Sequence, residues 1–414
     1  MTDDIPFARP FIGREEEEAV LRVLRSGWLT TGAEALAFEQ EFGEFLHADG
    51  LHCCAVNSAT SGLHLALEAC GVGPGDAVLV PSCTFAATAE VARYLGADPV
   101  FVDVAPGTFN INGATLEDAL KQLPHGKAKA VIPVHYGGLP CDMDSILEVA
   151  HRYGLKVIED AAHSFPSCIG GIRDQGLGTR ESDKNPQSPV PSPQSPSFAG
   201  TIGDVGVFSF YATKTITTGE GGMLVCRDGD IARRVSVMRL HGIDRSVWNR
   251  YSDTRAPWYY EVVAAGYKYN MPDILAAIGR VQLSRAWDLL RMREDIAACY
   301  DNAFANDGRF LIPPTGPGDA RHLYPLRLDP QRLPVSRDEF ATKLKNAGVG
   351  VSVHFIPLHT MPLYTTRYSL AENDFPHTVQ SCRQEISLLI WPGMTKAQVE
   401  RVIEVVQSIA TGYT

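Results

Sequence analysis

The chain has 414 residues and carries 37 Lys and Arg against 48 Asp and Glu, a formal charge of −11. That length suits two domains rather than one small core, and the acidic balance argues against general nucleic-acid binding, which needs surplus basic side chains on phosphate. No apolar run reaches the roughly 18 residues of a membrane span, and the start MTDDIPFARPFIGREEEE lacks the basic and apolar segments of a signal peptide. The default expectation is a cytoplasmic protein with neither nucleic acid nor membrane as partner.

Nine cysteines are scattered without a repeating spacing. Cys53 and Cys54 are adjacent and cannot make a C-x-x-C pair, so the cysteines read as small buried hydrophobes. The 12 histidines include no H-E-x-x-H pair, and no metal is expected.

In chain order, residues 56–67 (VNSATSGLHLAL) open a helix over 61–69, followed by a strand at 77–81 (AVLVP) and a helix over 86–96. Strands follow at 99–104 (PVFVDV) and 130–135 (AVIPVH), then a helix over 143–154 and a strand at 156–160 (KVIED). Residues 181–197 (ESDKNPQSPVPSPQSPS) are Pro, Ser and Gln with one apolar side chain, Val190. Such a stretch cannot bury enough surface to offset its ordering entropy, so a disordered insertion is expected. Strands resume at 205–210 (VGVFSF) and 223–226 (MLVC). Strands apolar throughout and separated by helices imply an α/β fold on a mainly parallel sheet. Active groups of such sheets gather beyond the strands' carboxyl ends, where Asp160, His135 and Ser209 lie.

From Pro272 one long helical pattern runs to about residue 304, Pro fitting its first turn. Past Gly308 the texture changes to HLYPLRL, a helix over 337–348, and VGVSVHFIPLH. This reads as a smaller α+β unit of roughly a hundred residues.

Three segments carry chemistry. VIEDAAH (157–163) ends a strand on Asp160, and a carboxylate there can pair with a pyridine nitrogen and make the ring an electron sink. Alone, an Asp at a strand end is more often a helix cap. FSFYATKTITTGEGGMLV (208–225) places Lys214 after a strand and before a Gly-rich turn. A lysine with a lowered pKa can form a Schiff base, but a surface lysine beside a hairpin reads equally well. Gly219, Gly221 and Gly222 permit a tight turn and close backbone approach. The hydroxylic start of the 56–67 segment can bind phosphate at a helix N-terminus, and capping alone would also explain it. No P-loop and no G-x-G-x-x-G is present.

Together with SGWLTTG (26–32), PSCTFAATAE (81–90), PVHYGG (133–138), GYKYNMPDILAAIG (266–279) and VSVHFIPLH (351–359), these segments resemble the DegT/DnrJ/EryC1/StrS family of pyridoxal-5′-phosphate (PLP) sugar aminotransferases. The resemblance runs from about Pro6 to the C-terminus, interrupted by the Pro/Ser/Gln segment. It implies the aspartate-aminotransferase-like fold type I. A large PLP-binding domain would span 1–280, its first 30 or so residues forming an arm near the site, with a small α+β domain over 281–414. The 266–279 and VSVHF segments look closest to the branch that aminates UDP-linked 4-keto sugars, such as UDP-4-amino-4-deoxy-L-arabinose aminotransferases.

By the same resemblance, Lys214 is the Schiff-base lysine and proton shuttle and Asp160 the partner of the ring nitrogen. His163 lies near the cofactor's phenolic oxygen, and Phe85 stacks on the ring. Ala59, Thr60 and Ser209 hold the phosphate, and Asn270 reaches it from a neighbouring subunit, which implies a homodimer. Trp28, Thr30, Thr31 and His354 match positions near the sugar, although Trp28 also reads as packed bulk and His354 as a core histidine. His135 stays uncommitted. The implied reaction moves an amino group from L-glutamate to a nucleotide-linked keto sugar. An aminocyclitol or antibiotic-pathway ketone is the alternative substrate. A non-catalytic regulator on the same fold is the alternative class. A dehydratase relative carries His in place of the lysine, and Lys214 argues against it.

Overall fold

A computed structural model describes residues 4–48, 50–169, 197–244 and 260–413. All but the last residue of the Pro/Ser/Gln segment lie outside these residues; Ser197 opens a short strand.

Seven strands form the main sheet. They are β1 (His52–Val56), β2 (Ala77–Pro81), β3 (Asp98–Val102), β4 (Ala128–Val131), β5 (Lys156–Asp160), β8 (Val205–Ser209) and β9 (Gly222–Cys226). The short β6 (Cys168–Ile169) and β7 (Ser197–Phe198) pair with each other apart from it. The order is β1-β9-β8-β5-β4-β2-β3. Pairs from β8 to β3 are parallel, and β9 runs antiparallel to both of its neighbours. Alternation along each strand divides the side chains between two buried faces. Val78 and Val80 pack with Leu63, Val91 and Val207, while Leu79 between them packs with Val131, Ile146 and Val157. Both faces being covered, these strands read as continuous apolar runs.

Helices cover the sheet. They are α1 (Arg14–Ser26), α2 (Ala33–Phe45), α3 (Ala59–Ala69), α4 (Ala86–Tyr94), α5 (Gly113–Lys121), α6 (Met143–Tyr153) and α7 (Gly229–Met238). Of these, α3, α5, α6 and α7 begin at capping side chains. Ser58 caps α3 through Ser61 N at 3.1 Å. Asp142 caps α6, and Gly154 ends it at φ 67°, a left-handed position that glycine adopts without a Cβ clash.

The expected single helix from Pro272 is two: α8 (Asp273–Ser284) and α9 (Ala286–Phe304), broken at Arg285 with φ −109° and ψ 6°. The side chain of Arg285 is drawn to Glu16 Oε1 at 2.7 Å and over the Phe11 ring. Apolar periodicity continues through the break, so the pattern could not show a turn set by contacts with the N-terminal segment. Strand β1 carries no strong sequence signal, because two cysteines occupy its centre.

A second sheet, β10 (Phe310–Leu311), β11 (Tyr324–Leu328) and β12 (Glu385–Leu388), is antiparallel throughout. It shares an apolar cluster with α9 and the helix Lys396–Thr411, through Tyr300, Phe304, Leu326, Val402 and Val406. Ile5 joins this cluster and bridges to Val349. The VGVSVHF segment makes only isolated bridges, Val349 to Ile5 and Ser352 to Ser387. No helix among the described residues is long and apolar enough to cross a membrane.

Candidate active site

The carboxyl ends of β5 and β8, the start of α3 and segments flanking the second sheet converge on a cavity of about 600 Å³. Eight of the residues singled out in the sequence line it: Ala59, Thr60, Phe85, Asp160, His163, Ser209, Lys214 and His354.

Asp160 ends β5, and strand alternation sends it and Glu159 to opposite faces. Glu159 is structural. Its Oε1 accepts the N–H groups of Ile202 (2.7 Å) and Gly203 (2.6 Å), and its Oε2 accepts Gly200 N (2.8 Å). His135 belongs to the same buried network, 2.9 Å from Glu159 Oε2 and with Nδ1 accepting Cys141 N at 3.0 Å. That resolves His135 as a structural histidine. Asp160 instead faces the cavity, where Oδ2 accepts from Thr88 Oγ1 at 2.8 Å and Oδ1 from Ala162 N at 3.1 Å. Burial raises its pKa, and these two donors and Lys214 oppose the rise.

Lys214 follows β8 in a turn closed by its own N–H on Tyr211 O at 2.9 Å. Its Nζ lies 3.5 Å from His322 Nε2. Burial lowers the amine from the ordinary lysine value to about 8; Asp160 opposes the shift and Arg293 adds to it. A proton is therefore held weakly enough to be shed near neutral pH. The Gly-rich turn behaves as its residues require. Gly219 has φ 84°. A Cβ on Gly222 would stand 2.8 Å from Ala59 N, so glycine lets β9 pass against the start of α3.

Three histidines face the lysine. Burial lowers the pKa of His163 and His322 well below the ordinary value and that of His354 to about 4. All three are neutral. His163 Nδ1 accepts Gly137 N at 3.3 Å, leaving the ring proton on Nε2. His354 is no isolated core histidine: Nδ1 lies 2.8 Å from Ser387 Oγ, its own N–H donates to Glu385 Oε2 at 2.9 Å, and Ser387 bonds the other oxygen of Glu385. Phe85, at the head of α4, is 63% exposed. A phenyl ring left bare on a cavity wall offers a stacking face.

Trp28, Thr30, Thr31 and Asn270 do not line this cavity. They gather around the N-terminus of α8. Asn270 Nδ2 donates to Thr31 Oγ1 (2.6 Å), which donates to Met271 O (2.6 Å). Trp28 Nε1 donates to Thr31 O (3.3 Å), and Asp273 N to Thr30 O (3.3 Å). Four residues went unnoticed in the sequence: Thr88, His322, Phe355 and Arg293. Thr88 was findable, standing one helical turn after Phe85 on the same face. His322 and Arg293 reach Lys214 from more than 70 residues away, with no local signal.

The chain belongs to the DegT/DnrJ/EryC1/StrS aminotransferase family, whose model matches residues 10–407. It is 42% identical to the spore coat polysaccharide biosynthesis protein SpsC of Bacillus subtilis, over 99% of this chain and 97% of that one. Among solved structures it resembles Spr1654 of Streptococcus pneumoniae in its PLP form (TM-score 0.83, 28% identity, 99% of this chain and 100% of that one). It also resembles Helicobacter pylori PseC, an aminotransferase involved in the biosynthesis of pseudoaminic acid (TM-score 0.84, 25% identity, 99% and 100%). The protein is a PLP-dependent aminotransferase of fold type I.

Proposed function

We propose that this enzyme transfers an amino group from L-glutamate to the ketone of a nucleotide-linked sugar, a UDP-4-keto sugar by choice. The observation that carries the reading is the placement of Lys214 and Asp160 on one cavity that the start of α3 also lines. SpsC, a spore coat polysaccharide biosynthesis protein, and PseC, which serves pseudoaminic acid biosynthesis, support a sugar as acceptor. The residues fit PLP. A buried acid, a weakly basic amine, an exposed ring and the first-turn N–H groups of α3 suit, in turn, a pyridine nitrogen, a carbonyl, an aromatic face and a phosphate.

When bound, PLP supplies an electron sink for the charge left by loss of a carbon-bound proton. The remaining work falls to the chain. Lys214 Nζ would hold the cofactor, then, as a free amine, take the donor's α-proton and return it to a neighbouring carbon. Asp160 would keep a proton on the ring nitrogen. His163 would present its Nε2–H to the ring's oxygen. Ala59 and Thr60, at the head of α3, and Ser209 would bind the phosphate, and Phe85 would cover the ring. His354, oriented by Ser387 and Glu385, would meet the sugar.

Because the cluster of Trp28, Thr30, Thr31 and Asn270 lies off the cavity of its own chain, the same reading has it complete the site of a second copy in a homodimer. The division into parts 1–280 and 281–414 belongs to the reading too, supported by the different main apolar clusters of the two sheets, with Ile5 packing into the second and Leu358 and Tyr364 into the first.

A turnover panel tests the substrate. UDP-, dTDP- and GDP-linked keto sugars and a keto-inositol are each offered with glutamate, and 2-oxoglutarate is measured. The UDP-4-keto sugar should react fastest, and the free keto sugar should lose kcat as well as affinity, because remote binding energy positions the reacting carbon. Faster amination of a dTDP or GDP sugar overturns the choice of nucleotide. Activity on keto-inositol alone replaces the nucleotide-sugar reading.

A further inference from the structure

Arg293 lies within α9 and is 2% exposed. A guanidinium buried that deeply normally keeps a carboxylate, because an uncompensated ion costs several kcal/mol. Among the described residues no ion pair includes Arg293, and burial alone lowers its pKa to about 10. Its terminal nitrogens go to carbonyls instead, Nη1 to His322 O (3.1 Å) and Ile390 O (2.5 Å) and Nη2 to Thr213 O (3.3 Å), while the buried Nε has no hydrogen-bond partner among the described residues. Those carbonyls belong to three segments far apart in sequence, and all three residues line the cavity. Thr213 immediately precedes Lys214, and His322 faces its amine.

We propose that Arg293 is a positioning residue for Lys214, a buried cation that staples the lysine's turn to the segments flanking the second sheet and whose fixed positive charge opposes protonation of the amine. The charged and titratable groups around that amine fit the assignment. Asp160 favours the ammonium form, His163, His322 and His354 are neutral, Glu220 and Tyr211 line the cavity, and Arg293 is the fixed cation. Once Asp160 is engaged with a ring nitrogen, burial and, beside it, Arg293 keep Lys214 able to act as a base. The missing carboxylate follows, since an acid beside Arg293 would cancel the charge. Burial lowers the pKa of His322, and the charges of Lys214 and Arg293 add to that shift.

The proposal rests on the assignment of Lys214 as the catalytic amine, but its test needs neither cofactor nor substrate. Competitive labelling of the apo-protein with acetic anhydride, from about pH 6 to 11 and resolved by peptide mass spectrometry, reads the protonation of Lys214 directly. In the parent, Lys214 should titrate near 8. Arg293→Gln keeps amide donors but removes the charge, and should shift the value up by about one unit. Arg293→Lys keeps the charge without the fork. It should hold Lys214 within about 0.3 units of the parent while kcat of the loaded enzyme falls. The proposal is overturned if Arg293→Gln leaves the titration unmoved, or if Arg293→Lys moves it as far as Arg293→Gln. Should Arg293→Gln fail to fold, a full-unit shift in Arg293→Lys overturns it alone, as does a parent Lys214 that titrates like an exposed lysine. Loss of turnover on every keto sugar would strike the functional reading and leave this titration standing.

Discussion

Thr88 Oγ1 donates a hydrogen bond to Asp160 Oδ2 across 2.8 Å, and the Thr88 hydroxyl is itself 2.8 Å from that of Thr84. With its proton spent on Asp160, Thr88 accepts from Thr84, so two hydroxyls in series stabilise a carboxylate whose pKa burial raises. Thr88→Val keeps the shape and removes the donor. A hydrogen bond to a charged group is worth about 1.5–3 kcal/mol. We expect kcat/KM to fall about 10- to 100-fold, with weaker PLP binding by absorbance titration. An unchanged kcat/KM would mean that Asp160 does not depend on this donor.

The cofactor should be traceable to one lysine. Borohydride reduction of the holoenzyme should leave a reduced cofactor on Lys214, located by peptide mapping, and Lys214→Ala should cost at least about 10³-fold in turnover. A modified lysine elsewhere would refute the assignment.

Burial of Lys214 also has a signature in the stability of the apo-protein. Its folded pKa of about 8 lies below the unfolded value of 10.5. Between those values the unfolded chain binds the extra proton, so stability rises with pH across about 8 to 10.5, by at most ~1.4 kcal/mol per unit for one proton. Below pH 8 both states are protonated and the cost is complete. In Lys214→Met that contribution to the slope should vanish. Denaturant melts of both proteins at several pH values in this window check it, and parallel curves would contradict the depressed pKa.

The Thr31–Asn270 contact, 2.6 Å long and off its own cavity, predicts sharing between subunits. Lys214→Ala and Asn270→Asp should each be inactive as homodimers. Mixed dimers should recover up to about half of parental activity, since one of their two sites escapes both changes. No recovery in verified heterodimers would place Asn270 outside the partner's site.

Much of this protein could be read from its residues because the relevant physics is local. β2 and β5 have the bounds that their apolar runs suggested, and Ser58, Asp142 and Gly154 mark helix ends through bonds made within a few residues. Asp160 and Lys214, which both line the cavity, are picked out by the family resemblance, since the strand end and the glycine-rich turn alone read equally well as a helix cap and a surface lysine. The tertiary structure decided what depends on distant partners. Glu159 and Asp160 are equally acidic in the sequence, and only the pleat, with Gly200, Ile202 and Gly203 on one side and Thr88 on the other, makes one structural and leaves the other facing the cavity. The break at Arg285 required Glu16 to be near. His322 and Arg293 acquire meaning only when α9 and the segments flanking the second sheet close on the lysine's turn, because burial and charge proximity depend on three-dimensional distance, which sequence separation does not encode.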